Sequence, residues 1–219
     1  MSKTNNIPQS TIERISIIYQ FLSQLEKQKQ TIVFSDQLGK FTGSSSDSIR
    51  KDFSVLKIGK NHNKGYNITH LKHQIALTFG FNQKRKSCII GLGRVGTAIL
   101  EYPLFLKEGF EIIAGFDNSL NRLERISTNI PLFHISDLEV TIKMKKIVLA
   151  IISTPAEVTQ SICDRLVSAG IQGILNFAPV ALKAPENVIV NNLDFMNALR
   201  IIAAKLSLNQ QGVENGTSI

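Results

Sequence analysis

Residues 91–96 read GLGRVG, and the eight residues before them, 83–90, read QKRKSCII. An apolar run ends at the first glycine, and the residues from Arg94 onward, 94–107, have helical spacing. The three glycines therefore stand between a buried strand and a helix, which is the setting that gives GxGxxG its meaning. Gly91 permits a tight turn, Gly93 lets a ligand approach the backbone, and Gly96 lets helix and strand pack closely. Asp117 ends the next strand, EIIAGFD (111–117), where a carboxylate can accept hydrogen bonds from ribose hydroxyls. The pattern predicts a dinucleotide site, with the pyrophosphate on Gly91, Leu92, Gly93, Arg94, Val95 and Gly96 at the helix N-terminus. Asp117 disfavours a 2′-phosphate, so NAD(H) is expected rather than NADP(H).

Downstream of this loop, strands and helices alternate. KIVLAIIS (146–153), GILNFA (173–178) and NVIVNN (187–192) read as strands, beside a short stretch PLFH (131–134). SDLE (136–139) and TPAE (154–157) read as capping boxes, the second with Pro155 at the first helical position, and Gly170 stops the helix that follows. Continuous apolar strands between capped helices predict an α/β unit with a doubly wound parallel sheet of Rossmann type.

Upstream, the rhythm is that of short helices. Ser10 and Glu13 after Pro8 read as a capping box, and Ile12, Ile15, Ile18, Leu22 and Leu25 share one helix face. Ser35 reads as the cap of a short helix through Leu38 and Phe41, and FTGSSS (41–46) as a turn pivoting on Gly43. Residues 47–56 form a further helix with Ile49, Phe53 and Leu56 inward and Asp47, Arg50, Lys51 and Ser54 outward. Two short helices joined by a tight turn, the second basic outside, are the helix-turn-helix pattern. KIGKNHNKGYNI (57–68) carries Lys57, Lys60 and Lys64 and reads as a hairpin wing. A helix from Thr69 to Phe79, stopped by Gly80, leads into a linker, NQKRK (82–86).

Charge follows the same division. Residues 1–83 hold 11 lysines and arginines against 5 aspartates and glutamates, a net of +6; residues 84–86 add three positive charges and 87–219 come to −1. A basic front half beside a neutral back half suits a polyanion partner such as nucleic acid. The first ten residues lack the apolar core of a signal peptide, and IVLAII (147–152) is far too short to cross a bilayer, so a cytoplasmic setting is expected. Cys88 and Cys163 make neither a disulfide framework nor a metal motif.

A dehydrogenase would need an acid or base beside the nicotinamide. His134 reads as an edge-strand residue, Tyr102 lacks a lysine four residues away, and Lys183 reads as solvated. The residues after the sixth strand suffice for one helix and leave no substrate domain. No catalytic residue and no metal site is therefore expected, which favours a cofactor that is bound without turnover.

Taken together, RKD (50–52), GLGRVG with EYPLF (101–105), GFEIIAGFD (109–117), TPAE, AGIQGILNFAPVALKAPE (169–186) and NLDF (192–195) resemble Rex, the redox-sensing transcriptional repressors of bacteria. The resemblance spans nearly the whole chain. It implies a homodimer with an N-terminal winged helix (1–82), a Rossmann NAD(H)-binding domain (83–194) and a C-terminal helix (195–210) swapped into the partner subunit. NADH would reorient the subunits and release operator DNA. The nicotinamide would lie near Tyr102, Thr154, Pro155, Ala156, Asn176, Phe177, Ala178, Pro179 and Phe195, and Asp194 matches an aspartate involved in switching. DNA would be met by Ser45, Ser46, Ser48, Arg50, Lys51, Lys57, Lys60 and Lys64. The helix from Phe195 is apolar nearly all round, which independently predicts burial on several sides.

The departures from the family pattern lie mostly in the front half. Lys57, Lys60 and Asn63 replace wing glycines, His62 stands where an arginine is usual, and Ser48 replaces a glutamine. Gln20 stands where the family has an arginine that can pair with the switching aspartate, and DNSLNRLE (117–124) lacks the family's DPEK. The reading is an NADH/NAD⁺-responsive repressor. Its alternatives are a divergent NAD(H)-binding paralogue with altered or weak DNA recognition, and an NAD-dependent oxidoreductase.

Overall fold

The computed structural model describes residues 7–59 and 64–215, with side chains described to Asn209. The chain divides into two units, Met1–Gln83 and Lys84–Ile219.

In the first unit, helix α1 (Gln9–Lys27) buries Ile15, Ile18, Leu22 and Leu25, the stripe expected from their spacing. The capping box at Ser10 does not form. The helix starts at Gln9 directly after Pro8, so Ser10 lies inside the first turn, and Glu13 accepts from the Gln9 amide at 3.0 Å. Strand β1 (Ile32–Val33) precedes helix α2 (Ser35–Thr42). Ser35 is the first residue of α2 rather than its cap, and the Phe34 N–H donates to Gln37 Oε1 at 2.9 Å. Gly43 turns left-handed at φ 66° to end α2, as expected of the pivot. Helix α3 (Ser46–Leu56) follows, its cap made by Ser45 Oγ accepting from the Ser48 N–H at 3.1 Å. A Cβ on Gly39 would come within 2.7 Å of the Ser44 carbonyl oxygen, so glycine lets this turn fold back over α2.

Strand β2 (Tyr66–Asn67) pairs antiparallel with β1, not within residues 57–68 as the hairpin reading expected. The pairing follows from burial, since Val33 and the Tyr66 opposite it are both inside. Lys60, His62 and Asn63 lie outside the described residues. Helix α4 (Ile68–Phe79) is capped by Asn67, which accepts from the His70 N–H at 2.9 Å, and ends at Gly80, φ 69°. Ile15, Ile18, Leu22, Leu38, Ile49, Phe53, Ile68, Leu71 and Ile75 form one core. Full burial of each is worth roughly 2 kcal/mol.

The second unit begins with strand β3 (Arg85–Ile90), which starts inside the segment expected as linker. Arg85 and Lys86 are recruited because they pair in register with Phe110 and Glu111 at the start of β4 (Phe110–Asp117). Then come helix α5 (Arg94–Leu100), helix α6 (Leu104–Lys107), helix α7 (Leu120–Arg125) and strand β5 (Leu132–His134). Helix α8 (Leu138–Lys145), strand β6 (Leu149–Ile152), helix α9 (Ala156–Ala169), strands β7 (Gly173–Asn176) and β8 (Ile189–Asn192), and helix α10 (Phe195–Asn215) complete the unit. The strand order is β5-β4-β3-β6-β7-β8, with every neighbour parallel. Cys88, Ile90, Ala114, Phe116 and Ile152 face one core, and Ile89 and Ile151 face the other with Leu92 and Leu100. A sheet apolar on both faces is the doubly wound arrangement that the continuous apolar strands predict.

Four details differ from expectation. The helix expected over 94–107 is interrupted at 101–103, because Pro103 disfavours the helical conformation at Tyr102. SDLE makes no capping box: a 3-10 turn spans Ile135–Asp137, α8 starts at Leu138, and Glu139 pairs with Arg165 instead. TPAE makes none either. Pro155 lies just before α9, and the Thr154 hydroxyl meets Thr159 Oγ1 at 3.0 Å. Helix α10 is not buried on several sides within the chain; Phe195, Met196, Leu199, Ile202 and Leu206 are each more than half exposed. No helix among the described residues is long and apolar enough to cross a membrane.

Candidate functional site

The strand order reverses between β3 and β6, and open parallel sheets bind ligands in the crevice at the carboxyl ends there. Three of the predicted segments emerge at that place. GLGRVG follows β3, Thr154 to Ala156 follow β6, and Asn176 to Pro179 run from the end of β7. The glycine loop is tied to the end of β6: Ser153 Oγ, just before Thr154, donates to the Gly91 carbonyl at 2.7 Å.

The three glycines have different jobs. Gly91 sits at φ 88°, and a Cβ there would meet the Ser153 carbonyl oxygen at 2.8 Å. A Cβ on Gly96 would stand 1.9 Å from the Gly91 carbonyl oxygen. Gly93 has ordinary extended backbone, φ −71° and ψ −163°, and nothing lies within 4 Å of where its Cβ would be. Gly91 and Gly96 are thus required by the protein's own packing, whereas Gly93 leaves open space above the loop.

Leu92 is a core residue, while Arg94 and Val95 open α5 exposed. Arg94, Val95, Ile99, Tyr102, Phe105 and Phe195 line an apolar groove of about 500 Å³. Tyr102 packs edge-on against Phe105, and Phe177 lies 5.8 Å from the Phe195 ring. The structure therefore gathers the loop, Tyr102, Phe177 and Phe195. Thr154 is half-buried, Pro155 and Pro179 are exposed, and Ala178 is buried.

Asn176 is placed differently from its expected contact role. Fully buried, it donates from Nδ2 to the Val180 carbonyl at 2.7 Å and to Asn192 Oδ1 at 2.9 Å, and accepts from the Ala178 N–H at 3.0 Å. Its side chain is spent on shaping the loop that carries Phe177 and Pro179.

Asp117 ends β4 as expected, but its carboxylate is already engaged. Oδ2 accepts from the Leu92 N–H at 2.7 Å, Oδ1 from the Ser119 N–H at 2.9 Å, and both from Arg122 Nη1, at 2.8 and 3.0 Å. Burial opposes its ionisation, yet the Ser119 N–H, the Arg122 guanidinium and the Leu92 N–H outweigh it and hold the carboxyl below its usual range. The sequence reading missed Arg122. Its signal was an arginine one helical turn and a half beyond a carboxylate at a strand end.

Outside the crevice, His134 lies on edge strand β5, its Nδ1 accepting from the Ser136 N–H at 3.3 Å. Cys88 and Cys163 are buried free thiols, both pushed up by burial. Lys183 is exposed. No cluster of metal-ligating residues occurs among the described residues.

On the first unit, Asp47, Arg50, Lys51 and Ser54 are all exposed on α3, opposite the buried Ile49 and Phe53. Arg50 is turned along the helix: it donates to Ser35 Oγ at 2.9 Å and Ser46 Oγ at 3.3 Å and pairs with Asp47. Ser45 and Ser48 are joined through their hydroxyls at 2.9 Å. Lys57 holds a left-handed backbone at φ 55° just after α3, and Lys64 is exposed. Asp52 is buried and anchors α3 to α1, accepting from Thr11 Oγ1 at 3.0 Å and Arg14 Nε at 2.6 Å. The sequence reading missed this anchor: Asp52, three residues after Ile49 on the inward face, called for an internal partner, but the partner on α1 is out of reach of any local spacing. Gln20 is exposed on α1, and Asp194 Oδ1 accepts from the Asn197 N–H at 2.8 Å, capping α10.

Comparison with known proteins agrees with both units. Residues 6–54 match the family model described as "Putative DNA-binding protein N-terminus", and residues 82–180 match the CoA binding domain. The redox-sensing transcriptional repressor Rex of Streptomyces coelicolor is 34% identical over 92% of this chain and 78% of its own length. That of Brevibacillus brevis is 34% identical over 94% of this chain and 100% of its own. The crystal structure of RSP in complex with β-NAD⁺ and operator DNA superposes with a TM-score of 0.87 at 27% identity, covering 99% of this chain and 100% of that one. RSP with β-NADH superposes with a TM-score of 0.86, again at 27% identity, covering 96% of this chain and 99% of that one. A basic helix-turn-helix unit followed along the chain by a unit with a glycine-loop crevice, matched over more than nine-tenths of the chain by these relatives, places the chain in the Rex family of redox-sensing transcriptional repressors.

Proposed function

We propose that the protein represses transcription by binding operator DNA as a homodimer and releases it when NADH occupies the crevice. The observation that carries this reading is Gly93, a glycine that neither strain nor packing requires and whose side is open. A residue without Cβ there is explained by close approach of a pyrophosphate. Tyr102, Phe177 and Phe195 offer an apolar place for the nicotinamide, and Asp117 offers the ribose carboxylate. Thr154 to Ala156 border the same crevice.

DNA falls to α3. Arg50, once turned away from Asp47 and the two serines, and Lys51 reach base edges or phosphates, while Ser45, Ser46, Ser48, Lys57, Lys60 and Lys64 add phosphate contacts. The exposed apolar surface of α10 and the edge of β8, where Ile189 is exposed, are covered by a second copy of the chain. The domain assignment 1–82, 83–194 and 195–210 follows, with α10 lodged in the partner and Asp194 and Gln20 near the moving parts. The protein works in the cytoplasm and is not an enzyme; the crevice places Tyr102 against Phe105, and His134 is tied to Ser136 on the far edge strand. NADH shifts the dimer only by its difference in affinity for the two arrangements.

The test is an anisotropy titration of the protein on duplexes selected from a random pool, at one fixed salt concentration. NADH should weaken binding about tenfold or more, equivalent to about 1.4 kcal/mol of coupling, and excess NAD⁺ should restore it. Equal affinity in all three conditions would contradict the reading. A second expectation concerns the glycine itself. Gly93→Ala should leave the melting temperature unchanged, since its Cβ meets nothing, and weaken NADH binding about tenfold. Calorimetric melting and NADH fluorescence titration read the two effects separately.

A further inference from the structure

We propose that Arg122 determines the dinucleotide specificity of the crevice by occupying the positions on Asp117 that a ribose diol would take. This rests on the reading of the crevice as a dinucleotide site. An ionised carboxylate offers about four acceptor positions. On Asp117 all are used: one on each oxygen by a backbone N–H, from Leu92 and Ser119, and one on each by Arg122.

The two kinds of donor differ in how easily they leave. The Leu92 N–H is fixed by the glycine loop, and the Ser119 N–H by the turn into α7. The Arg122 side chain is 47% exposed, whereas the Asp117 side chain is 2% exposed. Ser119 Oγ accepts from the Arg122 N–H at 3.3 Å, so the backbone of Arg122 stays at the mouth of the site while its side chain can swing out. A ribose with free 2′- and 3′-hydroxyls therefore gains two bonds to Asp117 only by giving up an ion pair.

The displaced guanidinium remains beside the ribose edge. There it suits a 2′-phosphate, which it can meet with paired charge-assisted hydrogen bonds. Asp117 alone rejects a 2′-phosphate; Asp117 with Arg122 rejects it less. Arg122 thus lowers affinity for the unphosphorylated dinucleotide and narrows the gap to the 2′-phosphorylated one.

The test compares wild type with Arg122→Ala and Arg122→Lys, titrating each full-length protein with NADH and with NADPH. Arg122→Ala should bind NADH about fivefold tighter, the scale of a half-exposed ion pair, and NADPH more weakly, so the affinity ratio widens about tenfold or more. Arg122→Lys keeps a single charged nitrogen for both Asp117 oxygens, as Nη1 supplies now, but loses the planar fork that a 2′-phosphate would meet, so NADH affinity should stay near wild type while NADPH binds more weakly. Melting without ligand checks folding, and Arg122→Gln carries the same expectation if the alanine variant melts early. A ratio within about twofold of wild type in a folded variant, or weaker NADH binding, overturns the proposal. A wild type that binds neither dinucleotide overturns the crevice reading itself and the proposal with it.

Discussion

Gly96→Ala is expected to lower the melting temperature of the second unit by about 10 °C and to abolish NADH binding. The new Cβ would stand 1.9 Å from the Gly91 carbonyl oxygen, 2.7 Å from Ser153 Oγ and 3.0 Å from the Gly91 carbonyl carbon. Two of those neighbours are backbone, so no side-chain rotation relieves the clash. Gly91 has little room to retreat, because a Cβ on it would already stand 2.8 Å from the Ser153 carbonyl oxygen, and its φ of 88° admits little but glycine. Helix α5 must therefore separate from β3, taking Leu92 and Leu100 out of the core they share with Ile89 and Ile151. Overpacking of this kind costs about 3 kcal/mol or more. Differential scanning calorimetry with NADH titration checks both effects. A variant that melts and binds as wild type does would show that the loop is looser than described.

Asp52→Ala should be nearly as damaging, on the other unit. Asp52 joins α3 to α1 through Thr11 and Arg14, with side-chain exposures of 10% for Asp52 and 20% for Arg14. Removing one partner of a buried pair leaves the other charge uncompensated, at a cost of about 3–5 kcal/mol when fully buried. Arg14 keeps some water, which reduces the expected cost to about 2–3 kcal/mol and the fall in melting temperature to about 10 °C. DNA binding should weaken with it, since α3 loses the bond that fixes it on α1. Asp52→Asn retains an acceptor for Thr11 and should lie between. Circular dichroism melting and DNA titration are the measurements; an unchanged melting point would show that the pair contributes nothing net.

Glycines, apolar periodicity and strand-end chemistry made most of the architecture legible. The alternation of apolar strands with helices predicted the parallel sheet, and Gly43, Gly80 and Gly170 marked helix ends that the structure places at those residues. Capping boxes were the least legible feature. Ser10, Ser136 and Thr154 all had the right neighbours, and in each case the helix starts elsewhere or the hydroxyl finds another partner. A cap is one local bond worth about 1 kcal/mol, and tertiary packing overrides it. Long-range polar pairs were hidden for a different reason. Arg14–Asp52 and Arg165–Glu139 are 38 and 26 residues apart, so no local spacing shows them. In the site, the turn at Gly91 and the close packing at Gly96 were legible, whereas the occupation of Asp117 by Arg122 and of Asn176 by its own loop depends on side-chain positions.

The claim at the centre is that the crevice senses a dinucleotide on behalf of the DNA-binding unit. It is tested most directly by titrating operator DNA with wild type and Gly93→Ala at one salt concentration, without NADH and with NADH just sufficient to release the wild type. The account predicts that both proteins bind DNA alike without NADH, that NADH releases the wild type, and that Gly93→Ala stays bound. Release of Gly93→Ala at the same NADH concentration as wild type, or a wild type that holds DNA equally in both conditions, would contradict it.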